Sequence, residues 1–429
     1  MNIDTHQFNS NSVNHHRRLK ATTIVLLVWC GVILLHLFPA TRIFMLGLTI
    51  ILAVQAVRML IAKTKISYLV DNSYFPIVSI LIPAKNESAV LPEIINNLSK
   101  LDYPRPNLDI WVIDDGSTDA SPQILNQLQM QFPDLQVHQR ESTGGKSGAL
   151  NSVFPETRGE VILICDADAK LPVDFLHQTL PILENQNIAA VQVRKSIYNA
   201  ETNFFTRCQQ MEMSCDSFLQ THRITIGGMS ELRGNGMLVK REFLEKCHGW
   251  NENTITDDLD LCFKLYLAGG EIEFASIPFV QEEGVTNWRK LWLQRRRWAE
   301  GGYQRYLDYF PQIFTLGWQK EIDLLLFFIL QFILPIGLIP ELILTIFYSH
   351  NPVLLPLQTL LGIILTVAFM VGIYQYQNLR GLSLIWATFL GSLYMLHWIP
   401  VMIVTTLKMC VQTEHSVWVR TEHKGIIND

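Results

Sequence analysis

Apolar residues fall into two kinds of run along this chain. Long unbroken runs lie at the two ends, and short ones sit between polar stretches in the middle. Ala21–Phe38 and Ile43–Ala62 at the front are each near the ~20 residues that a membrane-crossing helix needs. Three more, Leu324–Tyr348, Val353–Tyr376 and Leu382–Leu407, lie towards the end. Between them, from about residue 75 to 280, runs such as Ile77–Leu81, Ile110–Ile113 and Val161–Ile164 are β-branched and almost wholly apolar, as strands of a parallel sheet covered on both faces are. Helical patterns at Ala89–Ser99 and Ser121–Gln131 separate them. This alternation predicts an α/β fold with a mostly parallel, doubly wound sheet and right-handed crossovers.

The basic residues His15, His16, Arg17, Arg18 and Lys20 before the first run resemble the start of a signal peptide. No small-residue cleavage site follows, and a second apolar run begins within a few residues, so 21–65 is expected to be a transmembrane hairpin. Arg17, Arg18 and Lys20 before it and Arg58, Lys63 and Lys65 after it place the tail 1–20 and the middle domain in the cytoplasm. Over 284–320 the composition turns to Trp288, Arg289, Lys290, Trp292, Arg295, Arg296, Arg297, Trp298, Tyr303, Arg305 and Tyr306, which predicts an interfacial amphipathic segment. Helices within 321–407 then lead to a tail at 408–429. Its mixed charges, Lys408, Arg420 and Lys424 against Glu414, Glu422 and Asp429, leave its side of the membrane open.

Composition agrees. At 49% apolar and 17% charged the chain is too greasy for an ordinary soluble protein. A net charge of −5 offers no footprint for nucleic acid. The cysteines at 30, 165, 208, 215, 247, 262 and 410 show no CxxC and no histidine pairing, so free thiols are expected rather than zinc or disulfides.

Candidate chemistry follows the strands. Ligands of open α/β sheets bind beyond the carboxyl ends of strands, and Ile113-Asp114-Asp115-Gly116-Ser117-Thr118-Asp119 stands there. The same residues suit a turn, with Ser117 or Thr118 capping the next helix. Cys165-Asp166-Ala167-Asp168 follows a buried strand, where two carboxylates are costly unless a cation shares the site. In Thr256-Asp257-Asp258-Leu259-Asp260 three acids exceed what capping a helix requires, and one is a candidate general base. Gln294-Arg295-Arg296-Arg297-Trp298 reads either as a juxtamembrane basic belt or as a clamp on a leaving diphosphate. Gly144-Gly145-Lys146-Ser147-Gly148 lacks the P-loop spacing but offers a lysine to phosphate.

In this order, IDDGSTD, DAD, TDD and QRRRW resemble the inverting family 2 glycosyltransferases, the group containing cellulose, chitin and hyaluronan synthases and ceramide glucosyltransferase. The strings GGKSGALN, AVQVRK, ELRGNG, GWNENTITDDLDL and EEGV are similar to those of the cyanobacterial β-monoglucosyldiacylglycerol synthases in that family. The resemblance implies a GT-A catalytic domain over 75–283 that takes UDP-glucose as donor and diacylglycerol as acceptor, in a multi-pass protein of the plasma or thylakoid membrane. It implies that Pro83, Ala84, Glu87 and Asp115 meet the uridine, and that Lys146 and Asp166 lie near the diphosphate or ribose. Asp168 would hold Mg²⁺ (or Mn²⁺), and Asp258 would be the base. Gln294, Arg297 and Trp298 match the QxxRW signature near acceptor and diphosphate. Relatives often carry Glu-Asp where this chain has Asp257-Asp258, which puts the partner role of Asp257 in doubt. The rival reading is a processive polysaccharide synthase, for which five spans are few.

Overall fold

The computed structural model describes residues 4–38, 40–63, 74–412 and 425. Lys65, at the end of the expected hairpin, and Glu414, Arg420, Glu422, Lys424 and Asp429 of the tail lie outside the described residues. The chain forms two compact units. One comprises Met1–Thr64, Ser214–Met229 and Leu291–Ser416, and the other Lys65–Met213, Ser230–Lys290 and Val417–Asp429. Ser214–Met229 thus belongs with the apolar helices, although it lies inside the range expected for the catalytic domain. The division falls within two helices, Phe204–Thr225 and Trp288–Ile313.

The second unit is built on a seven-stranded sheet: β1 (Val78–Ala84), β2 (Leu108–Asp115), β3 (Leu135–Arg140), β4 (Val161–Ile164), β5 (Ile188–Ile197), β6 (Met237–Lys240) and β7 (Glu271–Glu282). Their order is β3-β2-β1-β4-β6-β5-β7, all parallel except β6. Ile80, Ile82, Val112 and Leu163 are fully buried, as unbroken apolar strand runs require. Helix Leu91–Leu98 adds Leu91, Ile94, Ile95 and Leu98 to this core at i, i+3, i+4 and i+7. Helix Ser121–Gln131 has the expected limits and adds Leu125 and Leu128.

Two strands run further than their apolar stretches. β1 continues to Ala84, and β2 to Asp115 because Asp114 and Asp115 pair with Gln139 and Arg140 of β3. The turn begins only at Gly116, whose φ of +71° favours glycine. Neither Ser117 nor Thr118 caps the following helix: Ser117 Oγ accepts the Asn86 N–H at 2.7 Å, and Asp119 instead accepts the Ser121 N–H at 2.9 Å.

The first unit has five helices long and apolar enough to cross a membrane: Val13–Leu37, Ile43–Ile61, Trp318–Tyr348, Leu355–Gln377 and Gly381–Val411. They meet through Val32, Met45, Leu52, Leu326, Leu334, Leu354, Leu357 and Leu361. Their outer faces leave Ile43, Phe347 and Leu382 at least three-quarters exposed, an apolar surface suited to lipid. The last is interrupted, with helices Gly381–Met395 and Trp398–Val411 flanking a turn at Leu396–His397. In the third, buried Glu341 accepts the N–H groups of Val353, Leu354 and Leu355 at 2.7, 2.8 and 3.3 Å, and its other oxygen lies 3.3 Å from His36 Nε2.

The segment expected at the membrane interface is different. Residues 299–307 of helix Trp288–Ile313 are all buried, so within its unit the helix is enclosed rather than laid along a surface. Polar residues occur there because they are paired: Asp308 takes Arg17 at 2.5 Å, and Glu300 takes Lys408 at 3.5 Å.

Candidate active site

The sheet order explains why separated acids meet. β2, β1 and β4 are adjacent and parallel, so Asp115, Pro83-Ala84 and Asp166 all emerge at one edge. β6 runs the other way, so its start, after Gly234-Asn235-Gly236, reaches the same edge opposite Ile164. β5 and β7 end there too, with Ile197 beside Glu282.

At the β2 end, buried Asp115 accepts a 2.6 Å hydrogen bond from Ser142 Oγ and lies 3.4 Å from Arg140 Nε, its cross-strand neighbour. Lys85 Nζ donates to the same Ser142 at 2.8 Å. Arg140 also donates to the Thr143 carbonyl at 2.5 Å and so fixes the start of the glycine loop. Pro83 and Ala84 form the floor as the last residues of β1. Glu87 is buried, and its carbonyl accepts the Val90 and Leu91 N–H groups. The side chain that bridges towards the β2 loop is Asn86, at φ +55°, whose Oδ1 accepts from the backbone of Thr118 and Asp119.

At the β4 end, Lys146 Nζ is 2.8 Å from Asp166 and 3.7 Å from Asp257. Burial disfavours the ammonium, but Asp166 and Asp257 outweigh it and raise the lysine's pKa, so it stays charged. Asp168 is buried and accepts the Glu283 N–H at 2.6 Å, which ties its loop to the end of β7. The Lys170 and Gln281 backbones hydrogen-bond each other alongside.

Helix Asp257–Leu267 brings the last acids. Thr256 occupies its N-cap but makes no side-chain cap bond, and the first turn carries Asp257, Asp258 and Asp260. Asp260 turns away to Asn251, 3.0 Å off. Asp258 faces Gly234, where an added Cβ would lie 3.2 Å from its Oδ2 and 3.6 Å from Lys146 Nζ. Burial first, and then repulsion from Asp257, push the Asp258 carboxyl up to about 6, although Lys146 works the other way.

Asp115, Lys146, Asp166, Asp168, Asp257 and Asp258 therefore line one sheet edge in two linked groups. Asn86, Arg140, Ser142, Asn235 and Glu282 complete it and were not singled out from sequence. Lys195 pairs with Glu282 at 3.0 Å, and Asn235 reaches both Glu282 and the Asp166 N–H. Their signal was position: three fall within AVQVRK, ELRGNG and EEGV, at the ends of β5 and β7 and the start of β6. Among the described residues no three Asp, Glu, His or Cys side chains converge into a metal cage.

Gln294, Arg297 and Trp298 belong to the other unit. The i, i+3 and i+4 spacing on helix Trp288–Ile313 puts them on one face. All seven cysteines are free thiols, as expected.

Residues 76–301 match the family described as glycosyltransferase like family 2. The chain belongs to that family. The glycosyltransferase is 43% identical to the β-monoglucosyldiacylglycerol synthase of Nostoc sp. over 99% of this chain and 92% of the relative. It is 39% identical to that of Synechocystis sp. over 96% and 90%. Among solved structures, the mannosyltransferase of Pyrobaculum calidifontis, in complex with GDP-Man and Mn²⁺, aligns with a TM-score of 0.59 at 20% identity, covering 89% of this chain and 99% of that one. The glycosyltransferase shares its GT-A fold.

Proposed function

We propose that the chain transfers glucose from UDP-glucose to the hydroxyl of 1,2-diacylglycerol with inversion, giving β-monoglucosyldiacylglycerol. The observation that carries this is similarity to the two synthases along nearly the whole chain, apolar helices included, rather than over the catalytic motifs alone. The unit bearing the sheet is the catalytic domain and faces the cytoplasm, where nucleotide sugars are made.

The uridine is held near Pro83, Ala84, Glu87 and Asp115, and the diphosphate near Lys146 and Asp166. β2 and β4 are two strand spacings apart, roughly 10 Å, which suits a nucleotide lying across the intervening β1. Asp168, with Asp166 beside it, supplies the hard oxygen donors that Mg²⁺ or Mn²⁺ prefers, and two carboxylates short of a full cage suit an ion completed by phosphate oxygens. When bound, that ion would screen charge gathering on the leaving UDP. Asp258 takes the acceptor's hydroxyl proton as the oxygen bonds to the anomeric carbon, and the bond to UDP breaks with its electron pair leaving on the diphosphate. A carboxyl raised to about 6 is a stronger base than an ordinary aspartate and is still mostly ionised at pH 7. Asp257 and Lys146 set that value. Gln294, Arg297 and Trp298 engage the acceptor and the departing diphosphate.

The test is purified full-length protein in vesicles containing diacylglycerol, given labelled UDP-glucose or UDP-galactose. One β-linked glucose per lipid is expected. Label in polymer, or equal use of the galactose donor, overturns the reading.

A further inference from the structure

Arg295 is the most deeply buried charge of the QRRRW segment, with no side-chain exposure. Removing a guanidinium from water costs several kcal/mol unless the surroundings compensate. Here its carbon lies 4.1 Å from the ring centre of Trp298 and 5.6 Å from that of Trp398, so it sits against two indoles. Its Nη1 donates to Gln294 Oε1 at 2.7 Å, and its Nη2 to Tyr394 Oη at 3.4 Å. Tyr394 and Trp398 stand on either side of the interruption in the fifth apolar helix, one turn apart. His397, within that turn, is held to the Tyr394 carbonyl through Nδ1 at 2.6 Å.

Arginine has donors only, so a bond to Gln294 must end on the amide oxygen. That fixes the amide and aims its NH₂ away from the guanidinium. The stacked guanidinium occupies one indole face of Trp298 and fixes that ring as well. Lysine, a compact charge without a planar fork, could not do both.

We infer that Arg295 is a positioning residue: held by the interrupted helix, it orients the Gln294 amide and the Trp298 ring for the transfer step. The assignment rests on the reading above, in which Gln294 and Trp298 act in that step. Wild-type protein forming no glucosyl lipid would remove that reading first, whatever the variants do.

With wild-type activity established, Arg295→Gln, Arg295→Lys, Gln294→Ala and the Arg295→Gln/Gln294→Ala pair are compared in diacylglycerol vesicles. A lost charge-assisted contact predicts kcat down about 10- to 100-fold. The KM for UDP-glucose should stay within about twofold, since the donor's ligands are elsewhere. Arg295→Lys should not rescue, and the double variant should be no slower than about twice the worse single variant. A double variant losing the product of the two single effects, or full rescue by lysine, overturns the assignment. If Arg295→Gln fails to fold, Trp398→Leu decides, because it removes only one stacking face. A kcat down severalfold with unchanged donor KM supports the inference, and unchanged kcat overturns it.

Discussion

Asp258 carries opposing demands. Its folded carboxyl titrates near 6, above the 3.8 of an unperturbed aspartate, because it is buried next to Asp257. Proton abstraction needs the ionised form, so kcat should fall as pH drops through about 6, measured at saturating donor and acceptor. Asp258→Asn should lower kcat by about 10²- to 10⁴-fold and abolish that limb. The sign for stability is the reverse. With the folded pKa above the unfolded one, this group's stabilisation is present below about 4 and lost as pH rises through about 6. The inactive Asp258→Asn protein should therefore melt higher than wild type at pH 8, with the difference vanishing near pH 4. Equal melting temperatures at pH 8 would show that the carboxylate is not strained. Lys146 holds Asp166 and Asp257 from one ammonium. Lys146→Met should raise the KM for UDP-glucose about 10-fold or more and push the apparent pKa of the kcat profile upward, because a positive charge beside Asp258 has gone.

The GGKSGALN segment presents Lys146 on helix Gly145–Val153, and its geometry admits no side chain at one point. A Cβ on Gly148 would lie 2.3 Å from the Thr143 carbonyl oxygen, which is backbone and cannot yield cheaply. Gly148→Ala should cost kcat/KM for UDP-glucose about 10-fold or more. Gly362→Ala, in helix Leu355–Gln377 with nothing within 4 Å, should leave kinetics unchanged and raise stability slightly, about 0.5–1 kcal/mol. Apolar periodicity made such elements legible: helix Ser121–Gln131 and strand Val161–Ile164 have the limits expected of them. It could not show that Asp114 and Asp115 extend β2, since that depends on pairing with β3, far along the chain. Arg140 and Ser142 escaped for the same reason. They were unremarkable polar residues until β3 brought them beside Asp115. The 284–320 segment misled because its arginines and tryptophans resemble an interfacial belt, whereas here they are satisfied by partners such as Tyr394 and Trp398 that only tertiary structure supplies.

Across the whole molecule, the unit of apolar helices contains ion pairs that composition alone would not place there. Arg223 and Asp323 are almost fully buried and lie 2.7 Å apart, and Asp323 also accepts the Met229 N–H at 3.0 Å. Removing one partner strands the other, so Asp323→Ala should destabilise the protein by about 3–5 kcal/mol, read as a lower melting temperature in detergent. An unchanged melting temperature would contradict that burial.

Glu341 has a bearing on biogenesis. A carboxylate in a hydrophobic span is penalised by about 2.5 kcal/mol or more during insertion. This one is satisfied by the N–H groups that open the next helix and by His36. A nascent chain that stops before Val353 lacks those donors. The third and fourth spans should thus be released into lipid as a pair, and ribosome-bound intermediates truncated between them should stay extractable by alkali.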